Sequence, residues 1–181
     1  MSSTLTTLAK LAVFSGVGLH SGKPASVRVL PAQTGYGIRF VRVDLPMRPE
    51  VPALWNRVGQ LVLCTTLNNG TGAEVSTVEH LLAALAALGV DDAVIEVDGP
   101  ELPILDGSSV EFVRGLLRAG LRTSSQPRRY IRILKPVEVL GHSKFARLEP
   151  HDGFSVSFDI DFPHPAIGRS AVDIEINRDT F

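Results

Sequence analysis

The 181-residue chain has a single cysteine, Cys64, which excludes an internal disulfide and fits a reducing compartment. It has no surplus of either charge. The formal net charge of −1 speaks against an extended nucleic-acid surface or a face drawn strongly to membranes. A long hydrophobic run is also missing. The longest, residues 81–90, falls short of the roughly 20 residues a membrane-spanning helix needs, so no stable membrane insertion is expected. Residues 1–10 are rich in serine and threonine, with no basic segment leading into an apolar stretch, so no secretory signal is expected there. Glycine and proline are not in excess and aliphatic side chains are plentiful, which excludes global disorder and makes a real core available. These absences leave a soluble cytoplasmic protein as the expectation, with one large domain or one and a half ordinary ones.

Residues 25–30, 37–43, 61–67 and 93–97 are predicted as strands, being rich in β-branched side chains and bounded by Gly, Pro or Asn. Residues 76–88 are predicted as a helix stopped by Gly89. Residues 108–119 form a second, with Val110, Val113, Leu116 and Leu117 on one stripe and Gly120 beyond its end. Thr123-Ser124-Ser125-Gln126-Pro127 is the best linker candidate, dividing the chain into 1–125 and 126–181. Beyond it, Phe154, Val156, Phe158, Ile160 and Phe162 alternate with Ser155, Ser157, Asp159 and Asp161, the pattern of a half-buried strand. The two sides of the linker share a weak repeat. Gly18-Leu19-His20-Ser21, Pro31, Gly35, Phe40 and Asp44-Leu45-Pro46 are answered by Gly141-His142-Ser143, Pro150, Gly153, Phe158 and Asp161-Phe162-Pro163. In the first copy some eighty residues with both helices follow; in the second only residues 166–181 do, so the second copy reads as cut short.

Thr77-Val78-Glu79-His80 opens a segment in which every residue from 81 to 88 is Leu or Ala, a helix with no solvent face that is expected to be buried. Titratable side chains are costly to bury without partners, and a His beside a Glu at a helix's positive end suits a metal ligand next to a general base. A plainer account exists for each. Ser76-Thr77-Val78-Glu79 is a capping box in which Glu79 reaches back to the cap amide. His80, on the Ala83, Ala84, Ala87 side and away from Val78, Leu81, Leu82 and Leu85, also fits a hydrogen-bonded core histidine.

Other motifs have competing readings too. Gly16-Val17-Gly18-Leu19-His20-Ser21-Gly22 approaches a dinucleotide fingerprint but displaces its third glycine and leads into a strand, so a hairpin loop fits better. His20 within it can face a ligand. Residues 98–109 form a rigid loop entering the second helix, with Ser108 and Glu111 as another capping box. Arg128, Arg129, Arg132 and Lys135 read as a solvated strand edge. Lys144 is a candidate phosphate contact that a surface lysine explains equally. His142, His151 and His164 lack metal-ligand spacing. Cys64, in an apolar strand, reads as packing before nucleophile.

Four segments carry a family resemblance. Phe14-Ser15-Gly16-Val17-Gly18-Leu19-His20-Ser21-Gly22, Ser76-Thr77-Val78-Glu79-His80-Leu81-Leu82, Pro103-Ile104-Leu105-Asp106-Gly107-Ser108-Ser109 and Ile160-Asp161-Phe162-Pro163-His164-Pro165-Ala166-Ile167 resemble the UDP-3-O-acyl-N-acetylglucosamine deacetylases. These are zinc enzymes of lipid A synthesis in Gram-negative bacteria, and the resemblance runs in family order from residue 8 to 181. It implies an α+β fold of two similar sheet-plus-helix domains with helices packed between the sheets, the second domain incomplete here. It implies that Glu79 is the general base and His80 the first zinc ligand. His20 and Cys64 match positions near the metal, and Lys144, Asp161 and Phe162 positions lining the nucleotide-sugar site. The implied cofactor is Zn2+ and the implied partner UDP-3-O-acyl-N-acetylglucosamine. The family's other zinc ligands, in a His-Lys-x-x-x-Asp helix motif, its general-acid His and its oxyanion-stabilising Thr have no match here. One expectation is therefore a deacetylase sequence lacking part of its site and inactive alone, with the strand at 154–162 partly uncovered. The other is a non-catalytic short paralogue that binds a nucleotide sugar or a protein partner.

Overall fold

The computed structural model describes residues 3–177 and 180–181; Met1 and Ser2, in the segment read for a leader, and Arg178 and Asp179, in the stretch after the last motif, lie outside them. The described residues fall into two compact units, divided between Arg128 and Arg129. The first contains β1 (Thr4–Leu8), β2 (Ala12–Val17), β3 (Pro24–Pro31), β4 (Ile38–Arg42), β5 (Glu50–Pro52), a short 3-10 turn (Trp55–Arg57), β6 (Thr66–Asn68), β7 (Glu74–Ser76), α1 (Glu79–Ala87), β8 (Ala93–Val97), α2 (Val110–Ala119) and β9 (Leu121–Pro127). The second contains β10 (Val137–Leu140), β11 (Phe145–Leu148), β12 (Ser155–Asp161) and β13 (Arg169–Glu175). The fold is α+β.

The core of the first unit is a five-stranded sheet of order β2-β3-β8-β4-β5, antiparallel except for the β4–β8 pair. Strand alternation sorts its side chains. Ala12, Val29, Ile95, Phe40 and Val51 are successive register partners across all five strands, and all are buried. One residue over, Arg28 pairs with Glu96 on the solvent face at 2.7 Å. The buried face is packed by Leu81, Ala84 and Leu85 of α1 and by Phe112 and Leu116 of α2. Phe14 of β2 meets Phe112 edge-on, ring centroids 5.0 Å apart. Gly115, one turn along α2, lets the Phe14 ring lie directly on the helix backbone: a Cβ there would sit 2.3 Å from Phe14 Cε1.

The structure corrects several expectations. The supposed linker 123–127 is part of β9, antiparallel to β1. Its polar side chains suit an exposed edge strand, and polarity alone does not separate an edge from a linker. The supposed strand 61–67 survives only as Thr66–Asn68; Leu63, at φ 62°, breaks extended geometry before it. The Leu/Ala helix is not buried all round. One stripe is buried, while Leu82 and Ala83 are half-buried and Ala86 is exposed. Neither capping box closes: Ser76 belongs to β7, and at α2 the Ser108 hydroxyl accepts the Val110 N–H at 3.2 Å while Glu111 pairs with Arg114 rather than reaching back. Arg128 is not a solvated charge, since its side chain is 9% exposed and bonds Asp91 and the Gly89 carbonyl, both at or just beyond the end of α1.

The second unit is two antiparallel hairpins, β10–β11 and β12–β13, with no helix among its described residues. The strand at 154–162 is present but not half-buried. Phe158 is 56% exposed, and Phe154 and Phe162 are exposed with it. The Gly18-Leu19-His20-Ser21 and Gly141-His142-Ser143 segments of the repeat both sit at hairpin tips. Gly18 N–H bonds the Lys23 carbonyl between β2 and β3, and Gly141 N–H the Lys144 carbonyl between β10 and β11.

Replacing Gly115 by alanine should force the Phe14 ring off α2. Overpacking of this kind lowers stability by about 1–3 kcal/mol. A urea unfolding curve followed through the first unit, with its midpoint unmoved, would contradict this packing.

Candidate functional site

Four backbone segments of the first unit converge on the start of α1. They are the β2–β3 tip with Gly18, His20 and Ser21, the loop ahead of β6 with Cys64 and Thr65, the β7–α1 junction, and the loop after β8 with Glu101. Ser76 is held from both sides, its N–H on the Pro100 carbonyl at 2.8 Å and its carbonyl receiving the Leu102 N–H at 3.1 Å. Ile104 N–H bonds the Val17 carbonyl at 2.9 Å, which ties the Glu101 loop to the β2–β3 tip.

The turn from strand to helix is made by Thr77, which has φ 57° and is 2% exposed. A β-branched residue in the left-handed region is a true outlier, and such strain collects at functional sites. Val78 follows in right-handed helical geometry as the cap residue, without a side-chain cap bond, and Glu79 is the first residue of the helix. The strain allows β7 to turn into α1 within two residues and puts Glu79 and His80 at the helix tip. There the unpaired N–H groups of the first turn favour a carboxylate.

Glu79 does not cap its own helix. Its Oε1 and Oε2 accept the Thr65 N–H at 3.2 and 3.3 Å, from the loop carrying Cys64. The Cys64 thiol is half-buried, 3.8 Å from Thr66 Oγ1, and lies in a loop rather than the apolar strand expected. The half-buried His80 ring has no hydrogen-bond partner among the described residues, so it is not the satisfied core histidine of the plainer reading. His20 is exposed and joins the cluster through its backbone.

Glu101 organises the cluster, and the sequence reading gave it no role. It is 6% exposed. Its Oε1 accepts the His20 N–H at 2.8 Å and the Thr77 hydroxyl at 3.3 Å, and its Oε2 accepts the Ser21 N–H at 2.9 Å. Burial pushes the Glu101 pKa up, but the His20 amide, the Ser21 side chain and amide and the Thr77 hydroxyl together bring it below the ordinary value of 4.5. Gly18 makes room for this: a Cβ there would lie 2.3 Å from Glu101 Oε2. The sequence held one clue, a lone acid inside the apolar Pro100-Glu101-Leu102-Pro103.

Lys144, Asp161 and Phe162 belong to the second unit. Lys144 closes the β10–β11 tip through its carbonyl. Asp161 ends β12 opposite Arg169, and Phe162 follows with its N–H on the Gly168 carbonyl at 3.1 Å. A catalytic zinc takes three protein ligands and keeps a position open. Among the described residues no group of three or more His, Cys, Asp or Glu is placed to hold a metal, so these residues do not by themselves fit one. Among them too, no helix is long and apolar enough to cross a membrane.

The profile of the family described as UDP-3-O-acyl N-acetylglycosamine deacetylase matches residues 5–181. Similar curated proteins include the UDP-3-O-acyl-N-acetylglucosamine deacetylase of Shewanella oneidensis, 45% identical over 96% of this chain and 57% of its own length. That of Shewanella halifaxensis is 47% identical over 91% of this chain and 54% of its own. The chain thus spans a little over half the length of the curated relatives it matches.

The lowered Glu101 pKa has a sign that can be tested. As pH falls, the unfolded chain protonates this carboxyl before the folded one does. Its stabilisation is therefore complete well above pH 4.5, shrinks as pH falls toward the lower folded value and vanishes below it. The stability difference between wild type and Glu101→Gln, measured by urea unfolding, should be full at neutral pH and narrow on acidification through that window. A difference independent of pH would contradict the charged role.

Proposed function

The chain belongs to the UDP-3-O-acyl N-acetylglycosamine deacetylase family, and from that premise we propose that it carries the base-bearing part of a zinc-dependent hydrolase. The reaction is removal of the N-acetyl group of UDP-3-O-acyl-N-acetylglucosamine, a step of lipid A synthesis in the bacterial cytoplasm. One observation carries the reading. Glu79 and His80 are adjacent at the tip of a helix, the carboxylate held from outside its own helix and the imidazole without a hydrogen-bond partner among the described residues.

In this reading a Glu79 oxygen accepts a proton from water as the water adds to the acetamide carbonyl, and collapse of the tetrahedral adduct gives amine and acetate. His80 would give one nitrogen to a zinc in a chain that carries the further ligands, and the metal would supply Lewis acidity there. His20 and Cys64 border the reacting centre. Lys144, Asp161 and Phe162 contact the nucleotide sugar, the ammonium suiting a diphosphate and the ring a sugar or base face. A rival reading is a non-catalytic member of the family that binds the same nucleotide sugar or a protein partner.

The 181-residue chain alone should hold far less than one zinc per molecule and release no acetate. Stoichiometric zinc with turnover would overturn that. In a chain extended to the relatives' length, Glu79→Gln should lower kcat by about 10²–10⁴-fold, the usual contribution of a general base, with zinc retained. His80→Ala should lose the metal. Full activity in either variant would return the residue replaced to a structural role, and an extended chain that binds UDP-sugar without turnover would favour the rival.

A further inference from the structure

The conformation of the β7–α1 junction does not sustain itself. A threonine in the left-handed region is strained and persists only where its surroundings impose it. The junction is bracketed by main-chain bonds to the Glu101 loop on the Ser76 side only. On the Thr77 side the side chain is held by its hydroxyl, which donates to Glu101 Oε1 at 3.3 Å. The same carboxylate holds two successive amides of the β2–β3 tip, His20 and Ser21, at 2.8 and 2.9 Å. A buried carboxylate is expensive unless its oxygens are satisfied, and here donors from two separate segments satisfy them. A hydrophobic residue of the same size could fill the space but could not join those segments. The bare Cα of Gly18 leaves the room the carboxylate needs.

We propose that Glu101 is a positioning residue: by gripping the 20–21 amides and the Thr77 hydroxyl together, it fixes the left-handed turn at Thr77 and so sets the direction of Glu79. The inference rests on the reading of Glu79 as the base. Only Val78 separates Thr77 from Glu79. A relaxed φ at Thr77 would start α1 in another direction and draw the Glu79 carboxylate off the Thr65 amide.

The test is backbone NMR of the 181-residue chain, which reads geometry without turnover. Couplings across the Thr77 N–Cα bond report its φ, and the Thr65 amide proton, displaced downfield by the carboxylate, reports Glu79. Glu79→Ala should erase the Thr65 displacement. If it does not, the Glu79 placement is wrong and the proposal falls with it, a failure distinct from one at Glu101. Glu101→Gln should abolish both signals while the β3 and β8 amides stay in place. Thr77→Gly in the Glu101→Gln background should restore the Thr65 displacement, because glycine takes positive φ without strain. Rescue of this kind is not expected of a residue that merely fills space.

A Glu101→Gln chain that keeps both signals, or a double variant that fails to recover the Thr65 displacement, overturns the proposal. If Glu101→Gln alone does not fold, a double variant that folds with the displacement supports it, and one that also fails to fold overturns it. Full activity of Glu79→Gln in the extended chain would remove the base assignment and leave the geometric result standing.

Discussion

The candidate site depends on one buried carboxylate. Glu101 meets the β2–β3 tip and the β7–α1 junction at once, and every other feature of the cluster is arranged around that grip. Gly18 is small to clear it, Thr77 is strained beside it, and the Ser76 ladder to Pro100 and Leu102 delivers it to the right place. Charge-assisted bonds to amides are roughly twice as strong as neutral ones, which suits a group that must hold a left-handed threonine against its own preference. The sheet supplies the rigid floor. Its row of buried partners from Ala12 to Val51 fixes where β2, β3 and β8 end, and the loops that carry the cluster leave from those ends.

Much of this was legible in the sequence because it follows from periodicity. The strand at Ala93–Val97 and the stripe of α2 are patterns of two and of 3.6, and tertiary packing agreed with them. Glu79 and His80 stood out because titratable neighbours at the head of a Leu/Ala helix conflict with their surroundings, and local conflicts of that kind tend to mark sites. Glu101 was not legible in the same way. Its meaning comes from contacts with residues some eighty and twenty-four positions away, which no local window contains. Nor was the start of α1: Ser76, Thr77 and Glu79 have the spacing of a capping box, but Ser76 was claimed by a strand and Glu79 by the Thr65 amide. The strand β9 was misread for the opposite reason, since Ser, Thr and Gln on an edge look locally like a tether.

The second unit shows how far a pattern goes without a core behind it. In β12–β13 the row of Val156, Phe158 and Ile160 lies against Ile174, Val172 and Ser170, while Ser155, Ser157, Asp159 and Asp161 face Glu175, Asp173, Ala171 and Arg169. One face is therefore almost wholly apolar and the other polar. The Arg169 guanidinium bonds Asp159 and holds that carboxyl below its usual range on the polar side. An isolated two-stranded hairpin is marginal in water, and large exposed apolar faces are rare on folded domains. The alternation specified the strand and its register; how deeply each side chain is buried depends on what lies over the apolar face.

The pairing of β1 with β9 bears on how the polypeptide emerges from the ribosome. Thr4–Leu8 is made before its partner at Leu121–Pro127, which follows on the order of a hundred residues later. Throughout that interval the leading strand has an open hydrogen-bonding edge, able to recruit any other extended segment nearby. Closure of so distant a contact must also come late on entropic grounds. The first unit is thus finished by its opening words, which hang unread until the sentence that completes them has been spoken.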